Sequence, residues 1–172
     1  MESFLKKGFK KHKAVGTDSV NGTKSLARAF AGRLKPGDTV ALSGDLGAGK
    51  THFVKGVAAF FGINEKQIVS PTFSLMKTHR GKQMQMIHFD FYRLKGLEEL
   101  EKTGYRESLS EDKSIVFVEW PEIIKETWDD FTYMIRIEHA GDKRRSITIY
   151  KKNASKPGVK TKQAVHKKRG TK

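Results

Sequence analysis

The stretch Gly44-Asp-Leu-Gly-Ala-Gly49-Lys50-Thr51 constrains the fold more than any other part of the chain. It fits G-x-x-x-x-G-K-[ST] at every fixed position and follows the apolar run Thr39–Leu42. Glycines let successive backbone N–H groups curl around an anion without Cβ clashes. A helix that starts at the loop aims its positive dipole end at the same anion. A strand–helix turn that binds nothing would leave the lysine at the helix mouth without a purpose. The loop therefore predicts an α/β protein that holds a nucleotide. Gly44, Asp45, Leu46, Gly47, Ala48 and Gly49 form the cradle, Lys50 reaches the β- and γ-phosphates, and Thr51 Oγ1 ligates Mg2+.

The flanking patterns agree. Leu26, Phe30 and Leu34 stand at i, i+4 and i+8, one stripe of a helix before the strand. Phe53, Val57 and Phe60/Phe61 share a face of the helix after it, and Gly62 closes that helix. Residues 68–79 read as extended, interrupted by Pro71, and Arg80–Lys82 as a hairpin turn into a strand ending near Asp90. Residues 96–104 read as a short helix. Ser114–Glu119 is a continuous apolar run, as in a strand covered on both faces. Pro121 opens a further helix. Alternation around Ala140–Arg144 predicts an antiparallel hairpin. The expected fold is a single P-loop NTPase domain: α/β, with a mixed, mainly parallel sheet flanked by helices and a C-terminal antiparallel hairpin.

Charge divides the chain. Of a net +15 over 172 residues, residues 1–13 and 151–172 supply thirteen, and the part between is only +2. This predicts a flexible basic extension over 1–19, the domain over 20–150, and a disordered basic tail over 151–172. The tail serves either solubility or weak, salt-dependent attraction to RNA phosphates. The chain has no cysteine, so no disulfide and no thiolate site, which fits a reducing cytosol. No apolar run approaches the ~18 residues of a membrane span, and the N-terminus lacks a signal-peptide core. The expectation is a cytoplasmic protein without membrane contact.

Nucleotide chemistry at such a loop needs a further carboxylate at a neighbouring strand end. Asp90 and Glu119 are the candidates, either one holding Mg2+ and the other orienting the attacking water. The structural alternative is a carboxylate that caps a helix or pairs with an arginine. Thr72, in Ser-Pro-Thr-Phe, stands where a loop could close over the γ-phosphate, or serves only its turn. His88 with Asp90 makes one chelating pair without further spaced ligands, so His88 reads as an ordinary strand residue.

The motifs GDLGAGKT, SPTFSL, HFDFYRL, EEL, GYRE and VEWPE, in this order and spacing, resemble the TsaE (YjeE) family from about Val20 to Tyr150. The resemblance leaves both basic tails uncovered. It implies the ATPase subunit of the bacterial machinery that makes N6-threonylcarbamoyladenosine at position 37 of tRNAs reading ANN codons. ATP and Mg2+ are the implied cofactors, and TsaD-like and TsaB-like proteins the partners. tRNA is then met indirectly, with weak direct contact left to the basic tails. On the same resemblance, Glu119 is the Mg2+-associated residue, Asp90 the Walker-B-type aspartate, and Lys50 and Thr51 the phosphate and metal contacts. Trp120 lies near the nucleotide or only packs. Thr23 stands beside the base or caps its helix. Arg145 faces phosphates or a partner. Position 52 departs from the family, which usually has threonine after Lys-Thr. His52 keeps the backbone N–H, so nucleotide binding is expected to survive. A P-loop kinase of a nucleoside or sugar is the competing reading, with Asp90 as its base. A pure RNA-binding module would rest on the tails alone.

Overall fold

The computed structural model describes residues 5–82 and 84–153. β2 (Thr39–Ser43) and β5 (Ser114–Glu119) run parallel at the centre of the sheet, and almost every side chain on them is buried. Both faces are covered: Val40, Leu42, Ile115 and Phe117 enter one core, and Ala41, Val116 and Val118 the other. That double burial is why these strands are apolar runs rather than alternating patterns. β4 (Gln85–Asp90) and β6 (Tyr133–His139) join in parallel on either side.

The flanks are antiparallel. β3 (Met76–Arg80) pairs with β4, β7 (Arg145–Lys152) with β6, and β1 (Phe9–Thr17) with β7. The seven-stranded order is β1-β7-β6-β2-β5-β4-β3. The mixed sheet and the C-terminal hairpin are as expected. "Mainly parallel" needs correction, because only three of the six ladders are parallel and they occupy the centre.

α1 (Val20–Ala31) and α2 (Lys50–Phe60) cover one face. Their close approach rests on Gly56, where a Cβ would stand 2.3 Å from the Lys24 carbonyl oxygen. α3 (Leu97–Glu101), α4 (Tyr105–Ser108) and 3-10 turns at Pro121–Ile123 and Lys125–Asp130 cover the other. There Tyr105 meets Phe89 and Phe91 edge-on, with centroids 5.4 and 5.7 Å away.

Four other expectations change. Residues 9–17 are an edge strand, not a flexible extension: Phe9 is buried in the second core and eight residue pairs tie β1 to β7. The domain therefore begins well before residue 20, and β7 carries it to Lys152. The segment after Trp120 forms 3-10 turns rather than an α-helix. Regular strand in the 68–79 segment starts only at Met76. Ser19, not Thr23, caps α1, accepting from the Gly22 N–H at 3.1 Å. The tail beyond Asn153 lies outside the described residues. Among the described residues no helix is long and apolar enough to cross a membrane.

Candidate active site

The glycine-rich loop leaves the carboxyl end of β2 and enters α2 at Lys50. Gly44 has φ 147, and a Cβ there would lie 2.1 Å from the Ile137 carbonyl oxygen, so only glycine fits. Gly47 and Gly49, with φ 76 and 108, border open space. In front of the loop lies a cavity of about 640 Å3. Thr23, Leu46, Gly47, Ala48, Gly49, Lys50, Thr51, His52, Thr72, Asp90, Glu119, Trp120 and Arg145 all line it. Of the residues proposed from sequence, only Gly44 and Asp45 do not. They form the back of the loop, beside a second cavity of about 420 Å3.

Lys50 is nearly enclosed, at 5% exposure. Its Nζ donates to the Gly44 and Asp45 carbonyl oxygens at 2.6 and 3.0 Å. The same ammonium lies 3.7 Å from the Trp120 ring centroid. Burial lowers the lysine pKa, and the negative charges of Glu119, Glu122, Asp90 and Asp45 oppose that shift. Trp120 reaches over the lysine from a left-handed backbone, φ 60, a conformation that costs a non-glycine residue on the order of 1 kcal/mol.

Asp90 and Glu119 end adjacent parallel strands and are directly paired in register. They are 2% and 3% exposed, yet their surroundings differ. Glu119 Oε1 accepts from Thr51 Oγ1 at 2.9 Å and is 3.0 Å from His88 Nε2. With the carboxylate as acceptor, His88 donates from Nε2, and its buried Nδ1 has no partner among the described residues. Asp90 Oδ2 instead accepts from Thr72 Oγ1 at 2.8 Å and from Ser70 Oγ. Its Oδ1 accepts from the Tyr92 N–H at 2.9 Å. Glu119 is thus tied to the helix mouth, and Asp90 to the loop in front of it.

The remaining candidates brace the rim. Arg145 Nε donates to the Ala48 carbonyl at 3.0 Å, holding the loop from β7. Thr23 Oγ1 is buried and lies 2.9 Å from Thr17 Oγ1, linking α1 to β1. His52 stands in the first turn of α2 with a buried Nδ1 that has no partner. Burial and the nearby Lys55 and Lys24 lower its pKa, and Glu119 opposes that shift. Ser70, Tyr92 and His88 were not singled out as site residues from sequence. Ser70 lies two residues from Thr72 and could have been found by that proximity. The role of His88 depends on the β4–β5 register, which no local pattern encodes.

A mixed seven-stranded sheet between helices, with a cavity at the carboxyl ends of its parallel strands beside a glycine-rich loop that starts a helix, makes this an α/β protein. The family model described as "Threonylcarbamoyl adenosine biosynthesis protein TsaE" matches residues 17–147, and the chain belongs to the TsaE family. It is 37% identical over 145 residues to the tRNA threonylcarbamoyladenosine biosynthesis protein TsaE of Rickettsia conorii, covering 83% of this chain and 82% of that one. The Bacillus subtilis protein of the same name is 39% identical over 127 residues, 74% of this chain and 73% of that one. The crystal structure of Bacillus subtilis YdiB superposes with a TM-score of 0.66 at 32% identity, covering 84% of this chain and 88% of that one.

Proposed function

We propose that the chain is a P-loop ATPase that binds Mg-ATP in the 640 Å3 cavity. It serves threonylcarbamoylation of adenosine 37 in tRNAs reading ANN codons, acting on TsaD-like and TsaB-like partners in the cytoplasm. The observation that carries this reading is the Thr51–Glu119 bond of 2.9 Å at the mouth of α2, beside Lys50. It joins a hydroxyl and a carboxylate, both hard oxygen donors of the kind Mg2+ prefers. The donor set therefore fits Mg2+, and Thr51 and Glu119 are the residues that would hold it. Bound there, the ion would neutralise charge between β- and γ-phosphate oxygens.

Lys50 has two carbonyls of its own loop as partners and would exchange them for phosphate oxygens. Its charge then stabilises the negative charge of phosphoryl transfer. His88 holds Glu119 from behind. Asp90 ties Ser70 and Thr72 to the cavity wall and would orient the attacking water or reach the ion. The rim supports a partner-dependent role. Leu46, Tyr92 and Val20 line the cavity and are exposed, Leu46 to 78%. Apolar groups around a site mouth favour closure by another protein.

The test is ATP turnover with Mg2+, alone and with a TsaD–TsaB-type complex. Turnover that needs no small acceptor and rises with the complex is expected. Consumption of ATP only when a nucleoside or sugar is supplied would replace this reading with a kinase.

A further inference from the structure

β1 is unlike every other strand in the sheet. Five consecutive residues, Lys10 to Ala14, are exposed, so both faces of the strand stand clear of the cores. A register shift between Lys11 and Lys13 places an irregularity in the middle of this stretch. The strand also lies at the end of the sheet order, so its outer backbone edge has no neighbouring strand among the described residues.

Three of the five exposed residues are lysines, and none is acidic. Lys10, Lys11 and Lys13 have no carboxylate partner among the described residues, whereas Lys7 and Lys152 are paired with Asp129 at 2.7 and 3.1 Å. No acidic residue occurs between Phe9 and Thr17. Arg33, just past the end of α1, adds a charge by lying 3.0 Å from His12 Nε2. Lys151, exposed on the adjoining strand β7, is paired in register with Lys10. The Asn153 N–H donates to the Gly8 carbonyl at 3.0 Å, next to the start of the same strand. By sequence, the residues that follow add seven Lys/Arg and no acid.

Lysines also keep an edge strand from pairing with other strands. That need alone is met by one or two charges. It does not call for an acid-free row continued by Arg33 and Lys151. We infer that the β1 edge, with Arg33 and Lys151, is a sequence-independent docking surface for the phosphate backbone of tRNA. Charge complementarity selects the partner: three unpaired ammonium groups span roughly 10 Å of strand, against a backbone that carries one charge per nucleotide. The choice of tRNA over other RNA rests on the reading above. The surface itself does not, since it shares no residue with the cavity.

The test uses the full chain without nucleotide, binding labelled tRNA by fluorescence anisotropy across a salt series. The wild type should bind with a steep inverse salt dependence. The triple variant Lys10→Gln/Lys11→Gln/Lys13→Gln should weaken binding about tenfold or more at low salt. Its log–log salt slope should be shallower by about 2 to 3, close to one unit per lost phosphate contact. A second variant, Lys10→Glu/Lys11→Glu/Lys13→Glu, keeps the edge charged against self-association and should bind more weakly still. Melting temperature and Mg-ATP affinity should stay at wild-type values in both. An unrelated RNA hairpin should bind within a few-fold of tRNA, because phosphate contacts carry no sequence information. Wild-type affinity and slope in the triple variants would overturn the inference, as would a wild type that does not bind tRNA. So would variants that keep tRNA binding but lose the TsaD–TsaB-type complex, which would make the edge a protein interface. If the chain binds no ATP but the tRNA results hold, the ATPase reading fails and this one stands.

Discussion

The parallel centre and the antiparallel β1 flank treat charge in opposite ways. At the centre, Lys50, Asp90 and Glu119 are almost fully buried and every one has partners. On the flank, Lys10, Lys11 and Lys13 are exposed and have no carboxylate partner among the described residues. The difference follows from solvation. A buried charge without partners costs several kcal/mol, so it is retained only in a network that fixes its position. An exposed charge costs little and keeps its field available to a partner. The centre is accordingly built for geometry and the flank for encounter.

Lys50→Ala is expected to break the centre most. It removes the ammonium that interacts with both strand-end carboxylates, and ATP turnover should fall by about 10^3-fold or more. Steady-state turnover and nucleotide affinity measure it, and wild-type values would remove the phosphate-loop assignment.

Glu119→Gln and Asp90→Asn come next and should separate the two carboxylates. Both should reduce hydrolysis about 10^2-fold, more than they weaken ATP binding. Glu119→Gln should also raise the Mg2+ concentration needed for half-maximal turnover. Asp90→Asn should leave that requirement nearly unchanged and increase hydrogen exchange in residues 70–75, because Asp90 anchors Ser70 and Thr72. Equal Mg2+ shifts in both variants would mean that both ligate the ion.

A smaller effect is expected from His88→Phe, which removes the donor behind Glu119. The Mg2+ requirement should rise about 10-fold, the low end for loss of a ligand's outer hydrogen bond. His88→Gln keeps a donor and should recover part of it. An unchanged requirement in His88→Phe would reduce His88 to packing.

The smallest expected effect concerns His79, buried in β3, whose pKa falls to about 4 because of burial and the nearby His88. The unfolded chain takes up this proton near the ordinary value of about 6.5, and the folded chain does not until about 4. Stability from this group is therefore full above pH 6.5 and declines as pH falls toward 4, by on the order of 1–3 kcal/mol. Urea midpoints from pH 7 to 4.5 should show the decline, and His79→Gln should flatten it.

The parts whose chemistry is local can be read directly from the chain. The loop from Gly44 to Thr51 could be read because strand, glycines, lysine and helix are consecutive, and steric freedom, dipole and charge act within a few residues. Asp90 and Glu119 were legible as strand ends because both close apolar runs, and the hairpin of β6 and β7 because its alternation is regular. What depends on register and on remote burial emerges only in the folded sheet. β1 carries one buried core residue, Phe9, among lysines, so it has no alternating pattern, and only pairing with β7 makes it a strand. Trp120 could be suspected near the site, but its cover over Lys50 follows from its backbone turn. His88 became the support of Glu119, and Asp90 its level neighbour, only when β4 settled beside β5 in one register. Hydrogen bonds between strands join residues about thirty positions apart, and the free energy that selects their alignment comes from the two cores as a whole.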